Sequence, residues 1–287
     1  MSRTSTAHRA SSGPPPAADP RGSAPDVRDV LFAPVAGRTF PFTITVAQRA
    51  VLAGSSALAR KAAELGVEVE WLAQDGARLE AGMAVCHARG DAWQVVRAEE
   101  TLLATLGKAS GVATAAAELV AATAGRARVV CGAWKKVAPE LRGALRDAVM
   151  LGGAGMRILD RPFVYLDKNY VRMLGGVVAA VRRGRGVEGR AVVVQLRGGA
   201  CRIDDEAEAA VDAGADLLMV DTGQVADLAA VAGRLRATRP SSRVVLAFGG
   251  GVRLDGVDAI LDAGATVLDV GRAILDAPLV DFRLDVR

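Results

Sequence analysis

Side chains that ligate transition metals are scarce in this chain. It has two histidines, His8 and His87, and three cysteines, Cys86, Cys131 and Cys201, at no metal-like spacing. That argues against a structural zinc site, and an odd number of scattered cysteines points to a reducing cytoplasm. Aromatics make up only 4% of the residues, so the core must be built from Ala, Val and Leu. No apolar run approaches the roughly 20 residues of a membrane helix; the stretch Gly175 to Val181 is cut off by Arg182-Arg183. No Lys/Arg block interleaved with aromatics occurs, which argues against a nucleic-acid partner. The net charge of +4 is dispersed and suits a solvated surface with a local anion site.

What the chain does have is length and apolar content. With 287 residues and 51% hydrophobic residues it can fold as one large domain or as a small domain plus a barrel. Residues 1–29 are rich in Ser, Pro, Ala and Arg without apolar period, and are expected to be a disordered tail lacking the apolar stretch of a secretory signal. Residues 30–125 read as a compact α+β domain. A helix is expected from Val46 to Leu65, and strands at Val67–Trp71, Ala84–Ala88 and Trp93–Arg97. A long Ala-rich helix should follow from Ala98 toward Ala124.

From residue 126 to 287 strands alternate with helices. Strands are expected at Val129–Cys131, Val164–Leu166, Ala191–Leu196, Leu217–Val220, Val244–Ala247 and Thr266–Val270. Helices are expected at Glu140–Met150, Val171–Val181, Asp204–Ala213, Val225–Ala237 and Val257–Asp262. Two segments echo each other: Val211-Asp212-Ala213-Gly214-Ala215-Asp216 through Asp221, and Leu261-Asp262-Ala263-Gly264-Ala265-Thr266 through Gly271. Each is a helix end, a Gly turn and a short buried strand. Repeated β/α units predict an α/β fold: an incomplete parallel α/β barrel at the C-terminus with a smaller N-terminal α+β sandwich. The last segment is a candidate to return to the N-terminal domain.

Such folds carry their chemistry at the C-terminal ends of the strands. Here those ends hold Asp221, Gly249-Gly250 and Gly271-Arg272. One acid, two Gly-lined cradles and one Arg suit a sugar phosphate, since absent Cβ atoms let phosphate oxygens approach backbone N–H groups. The bland alternative is that these glycines only make turns. Lys135, Lys136 and Lys168 at strand ends could neutralise phosphate charge, or could be solvated surface groups. Asp221 could hold ribose hydroxyls or Mg²⁺, or could cap the next helix. Trp134, Tyr165 and Tyr170 could stack on a ligand ring, or simply pack. Cys131 reads as a small buried residue and not as a nucleophile.

The ordered motifs carry a resemblance. Glu99-Glu100-Thr101-Leu102-Leu103 with Ser110-Gly111-Val112-Ala113-Thr114 is similar to the Glu-Arg-Thr…Ser-Gly-Ile-Ala-Thr helix of the quinolinate phosphoribosyltransferases. Trp134 to Arg142 resembles that family's Thr-Arg-Lys-Thr-x-Pro-Gly-Leu-Arg, Gly152-Gly153-Ala154 its Gly-Gly-Gly, and Leu166 to Tyr170 its Ile-Lys-Asp-Asn-His. The resemblance runs collinearly from about residue 31 to the end. It implies an N-terminal sandwich and a barrel of few strands. It also implies a homodimer or higher homo-oligomer in which a neighbour completes each site, and transfer of phosphoribose from phosphoribosyl diphosphate (PRPP) with Mg²⁺, Asp221 being the candidate ligand.

The resemblance implies site residues too. Lys136, Lys168 and Asp221 would serve catalysis, and Glu100, Lys135, Arg157, Asp167, Gly249, Gly250, Gly271 and Arg272 would bind substrate. On the acceptor side this chain departs from the family. Glu100 stands in place of a helix Arg, Lys135 in place of an Arg, Arg157 follows Met156 where a His-Arg pair is usual, and Asp167-Lys168 appears in swapped order. The family's acidic strand residue has no counterpart in Val193-Val194-Gln195-Leu196. The expected activity is therefore phosphoribosyl transfer to an acceptor other than quinolinate. The rivals are a non-catalytic sugar-phosphate-binding descendant, and a lyase or isomerase acting on a phosphorylated sugar.

Overall fold

Alternation of β-branched residues with helix-forming ones dictates the C-terminal half. In the computed structural model, which describes residues 26–287, a four-stranded and a six-stranded sheet are joined by one long helix, and a two-stranded ribbon accompanies the smaller sheet. The N-terminal part begins with α1 (Val27–Phe32), β1 (Thr39–Val46), β2 (Ala50–Val51) and α2 (Ser55–Glu64). It continues through β3 (Glu68–Trp71), β4 (Arg78–Leu79) and β5 (Ala84–Asp91) into α3 (Ala92–Ala122). The expected tail covers residues 1–25, which lie outside the described residues, and four more that do not belong to it. Asp26 caps α1 by accepting from the Arg28 N–H at 2.9 Å.

Two further expectations are corrected here. The helix expected from Val46 is two strands and a shorter helix. Thr39–Val46 is rich in β-branched and aromatic residues and pairs with β5 and with the C-terminal strand, where Val46 lies opposite Phe282, so tertiary pairing takes Val46. The strand expected at Trp93–Arg97 is instead the first turns of α3. Asp91 accepts from Gln94 N–H while the Gln94 side chain accepts from Asp91 N–H, both at 2.8 Å, a capping box that starts the helix.

The C-terminal half runs β6 (Arg128–Val130), α4 (Arg142–Leu151), β7 (Phe163–Leu166), α5 (Lys168–Met173), α6 (Val177–Arg185) and β8 (Ala191–Leu196). It goes on through α7 (Ile203–Asp212), β9 (Leu217–Val220), α8 (Val225–Thr238), β10 (Val245–Phe248), α9 (Val257–Asp262) and β11 (Val267–Asp269). The chain ends in α10 (Arg272–Leu275) and β12 (Phe282–Val286). The single helix expected over Val171–Val181 breaks at Gly175-Gly176, both at positive φ.

Six parallel strands in the order β6-β11-β10-β9-β8-β7 form a curled half-barrel. Its edge strands do not pair with each other; the loop residue Gly155 instead bridges to Val130. β12 leaves this half and pairs antiparallel with β1, giving the N-terminal sheet the order β12-β1-β5-β3.

The strands of the curled sheet sort their side chains by period two. Val192, Val194 and Leu196 of β8 face the outer helices. Val130, Val193, Leu217, Met219, Ala247 and Val267 fill the inside with Ile158. The mouth of the half-barrel sits directly above that apolar plug. α3 is tied to both halves through its polar residues. Ser110 Oγ accepts from Ala53 N–H at 3.0 Å, Thr114 Oγ1 accepts from Val51 N–H at 2.9 Å, and Lys108 Nζ donates to Leu275 and Ala277 carbonyls.

Candidate active site

Counting two residues onward from each plug residue reaches the mouth. Val130 leads to Gly132, Phe163 to Tyr165, Val193 to Gln195, Met219 to Asp221, Ala247 to Gly249 and Val267 to Asp269. Strand alternation thus builds a ring of polar groups and glycines over a dry floor. The ring opens into a cavity of about 1070 Å³, which is also lined by Lys135, Lys136, Arg157, Asp167, Lys168 and Arg197.

Asp221 lies at the centre of the ring. Its Oδ2 accepts a short hydrogen bond from Gln195 Nε2 and another from Arg197 Nη1 at 3.2 Å. Gln195 is buried, 8% exposed, and its Oε1 accepts from the Lys168 backbone N–H at 2.6 Å. The amide therefore links the start of α5 to the end of β9. Asp221 does not cap the next helix: Gln224 N–H goes to Thr222 Oγ1 instead.

Asp269 faces Asp221 across Gly249. A Cβ built on Gly249 would touch both, Asp221 Oδ1 at 3.4 Å and Asp269 Cβ at 3.6 Å. The Asp269 carboxylate accepts from Gly132 N–H at 2.9 Å. Burial pushes its carboxyl above the usual Asp range and the Asp221 charge adds to the rise. The Gly132 N–H and the cations Lys135 and Lys136 oppose it.

The glycine turn after β10 presents backbone donors. Gly250 and Gly251 have φ of +93° and +122°, and the Gly250 backbone presses against Gly223, leaving no room for side chains at either contact. Among the described residues, the N–H groups of Gly250, Gly251, Val252 and Gly271 have no hydrogen-bond acceptor. All four residues line the cavity.

Of the residues singled out from sequence, Lys135, Lys136, Arg157, Asp167, Lys168, Asp221, Gly250, Gly271 and Arg272 meet at this cavity. Gly249 underlies it. Glu100 does not enter the mouth of its own chain: on α3 its carboxylate pairs with Arg28 at 2.7 Å, and Arg28 also lies over Trp93. Asp167 has a structural duty, its Oδ1 capping α5 through Asn169 and Tyr170 N–H groups. The Arg272 side chain pairs with Asp276.

Among the candidate stacking rings, only Tyr165 lines the cavity. Trp134 is buried and donates to the Cys131 carbonyl at 2.7 Å. Cys131 is fully buried and its thiol is pushed up to about 11 by that burial, which leaves it an inert packing residue. Sequence reading gave no site role to Gln195, Arg197 or Asp269. The two-residue step from the plug was the available signal for Gln195 and Asp269.

Fold and site together define an α/β half-barrel protein whose polar mouth lies at the carboxyl ends of its parallel strands. Comparison with known proteins places it further. The domain described as "Quinolinate phosphoribosyl transferase, C-terminal domain" matches residues 112–285, and its N-terminal counterpart matches residues 29–110. The nicotinate-nucleotide pyrophosphorylase [carboxylating] of Rattus norvegicus is 32% identical over 237 residues, covering 82% of this chain and 77% of the rat protein. The Homo sapiens protein of the same name is also 32% identical over 237 residues, covering 82% of this chain and 78% of its own length. The crystal structure of nicotinate-nucleotide pyrophosphorylase from Ehrlichia chaffeensis superposes with a TM-score of 0.77 at 18% identity, over 93% of this chain and 94% of that one. The chain belongs to the quinolinate phosphoribosyltransferase family.

Proposed function

We propose that the mouth binds PRPP and transfers its phosphoribosyl group to an acceptor other than quinolinate. The observation that carries this is the convergence of Lys136, Lys168 and Asp221 with the free N–H groups of Gly250, Gly251 and Gly271 on one cavity. In this reading the glycine N–H groups hold the 5′-phosphate. Asp221 Oδ1 accepts from the ribose hydroxyls. As the C1–O bond to diphosphate breaks and a bond from C1 to the acceptor forms, the lysines receive the charge on the departing diphosphate. Orientation and fixed charge supply the catalysis.

The acceptor half supports the second clause. Glu100 stands where the family resemblance implies Arg, and its carboxylate is paired with Arg28. Arg157 lies over the Phe163 ring at 5.6 Å and lines the cavity, a planar cation available to an acceptor's acid group. Glu100 lies away from its own mouth, and the family resemblance would bring it to an acceptor across a subunit contact. The homodimer is part of the same proposal, and a monomer by sedimentation equilibrium would refute that part.

Mg²⁺ prefers six oxygens, one or two of them carboxylates and the rest waters and substrate phosphates. Among the described residues no group of three His, Cys, Asp or Glu side chains is placed to hold a metal. Asp221 Oδ2 is already taken by an amide and a guanidinium, and the strand end beside it carries Gln195. Asp269, which faces Asp221 across Gly249, is turned to the Gly132 N–H, so the side chains of the mouth offer a cation little beyond the free Asp221 Oδ1.

The test is calorimetric titration with PRPP, followed by release of pyrophosphate across a panel of ring acceptors that includes quinolinate. Asp221→Asn should lower kcat/KM by about a hundredfold or more. Absence of PRPP binding would overturn the donor assignment. Turnover of quinolinate in preference to every other acceptor would overturn the acceptor assignment.

A further inference from the structure

We propose that Arg197, held on Asp221 beside Gln195, neutralises the diphosphate of the donor in place of a protein-held divalent cation, so that donor binding does not depend on metal. The proposal rests on the donor assignment above and concerns residues which that assignment leaves without a role.

Three observations carry it. First, the backbone at Arg197 is held in place. Arg197 follows the end of β8, and the backbone N–H groups of Arg197 and Gly198 both donate to Glu206 Oε2, at 3.1 and 2.9 Å. The loop that carries the side chain is thereby anchored to α7. Second, Arg197 Nη1 makes a single contact with Asp221, at 3.2 Å, and its side chain is 47% exposed. A guanidinium has five N–H donors in a planar fork, so one edge remains for a phosphate, the ligand that fork matches best.

Third, Gln195 removes the competing arrangement. Its side chain is fixed at both ends, accepting from Lys168 N–H and donating to Asp221 Oδ2. An amide brings no charge to this position. With Asp221 as the one carboxylate on Arg197, the mouth keeps a cationic surplus through Lys135, Lys136, Lys168 and Arg253, all of which line the cavity. A Glu at 195 would add a carboxylate directly against Asp221, beyond the Asp269 that faces it across Gly249, and would call for a cation between them.

The ion pair itself is half-exposed and contributes little to stability. Variants at 197 should therefore fold, and their effect will be seen in binding. Calorimetric titration with PRPP, once in EDTA and once in Mg²⁺, separates the possibilities. Wild-type protein should bind with affinities within about threefold of each other in the two buffers. Arg197→Ala should bind about tenfold to a hundredfold more weakly in EDTA, as expected for loss of a charged hydrogen bond, and Arg197→Lys should recover part of the loss. Gln195→Glu should bind poorly in EDTA and be rescued by Mg²⁺. It should also bind Mn²⁺ alone, seen by electron paramagnetic resonance, where the wild-type protein does not.

Wild-type binding that appears only with Mg²⁺ would overturn this proposal while leaving the donor assignment standing. So would an Arg197→Ala protein that binds PRPP as tightly as wild type in EDTA, or wild-type protein that holds Mn²⁺ without PRPP. No binding in either buffer would overturn both.

Discussion

Replacing Gly111 by Ala tests how α3 joins the two halves. A Cβ at this position would sit 2.1 Å from the carbonyl oxygen of Pro278. Ordinary contact begins near 3.4 Å, so the 278 backbone must retreat by more than an ångström. That segment is not free to do so: Val280 N–H donates to the Gly107 carbonyl at 3.0 Å, and Lys108 holds the carbonyls of Leu275 and Ala277. Overpacking of this kind costs about 1–3 kcal/mol, and losing the Val280 hydrogen bond adds about 1 kcal/mol. The gain from Ala over Gly in a helix offsets about 1 kcal/mol. The net loss of about 1–3 kcal/mol should lower Tm by about 2–12 °C for a chain of this size, at roughly 2–4 °C per kcal/mol.

Gly233 is the control. It lies inside α8 with nothing within 4 Å of a built Cβ, so Gly233→Ala should be neutral or raise Tm slightly. Thermal melts followed by circular dichroism measure both. A Gly111→Ala protein that melts at or above the wild-type temperature would show that the 278 segment yields freely, and the reasoning would fail.

Two other outcomes are expected. The thiols of Cys86 and Cys131 are both buried and pushed up to about 11, while Cys201 is exposed. Ellman's reagent at pH 8 should therefore modify Cys201 in the native protein and all three thiols in denaturant; fast modification of a second native thiol would contradict the burial. Glu100→Arg breaks an exposed pair with Arg28 and should cost less than about 1 kcal/mol. It should also improve binding of a pyridine dicarboxylate, read by fluorescence or calorimetric titration, and unchanged binding would detach Glu100 from acceptor choice.

The strands of the half-barrel could be read from sequence because β/α alternation is local. Ala191–Leu196 and Leu217–Val220 form where buried apolar runs stand between Gly turns. So could the loops that carry Lys136, Lys168, Asp221 and Gly250, since strand-end position follows from strand assignment. Glycine in the 250 turn and the capping box at Asp91-Gln94 are equally local signals, although the second was overruled by the apparent alternation of Trp93–Arg97.

The remainder depended on pairings distant in sequence. β12 lies more than two hundred residues from β1, and no local pattern says that Phe282–Val286 crosses back to it. Nor does the sequence show that Gln195 and Arg197 both reach Asp221, since three side chains from two strand ends converge only when the sheet curls. Local preference set which residues form strands and turns in this protein. The curl of the sheet, driven by burial of the apolar plug, decided which charges face one another at the mouth.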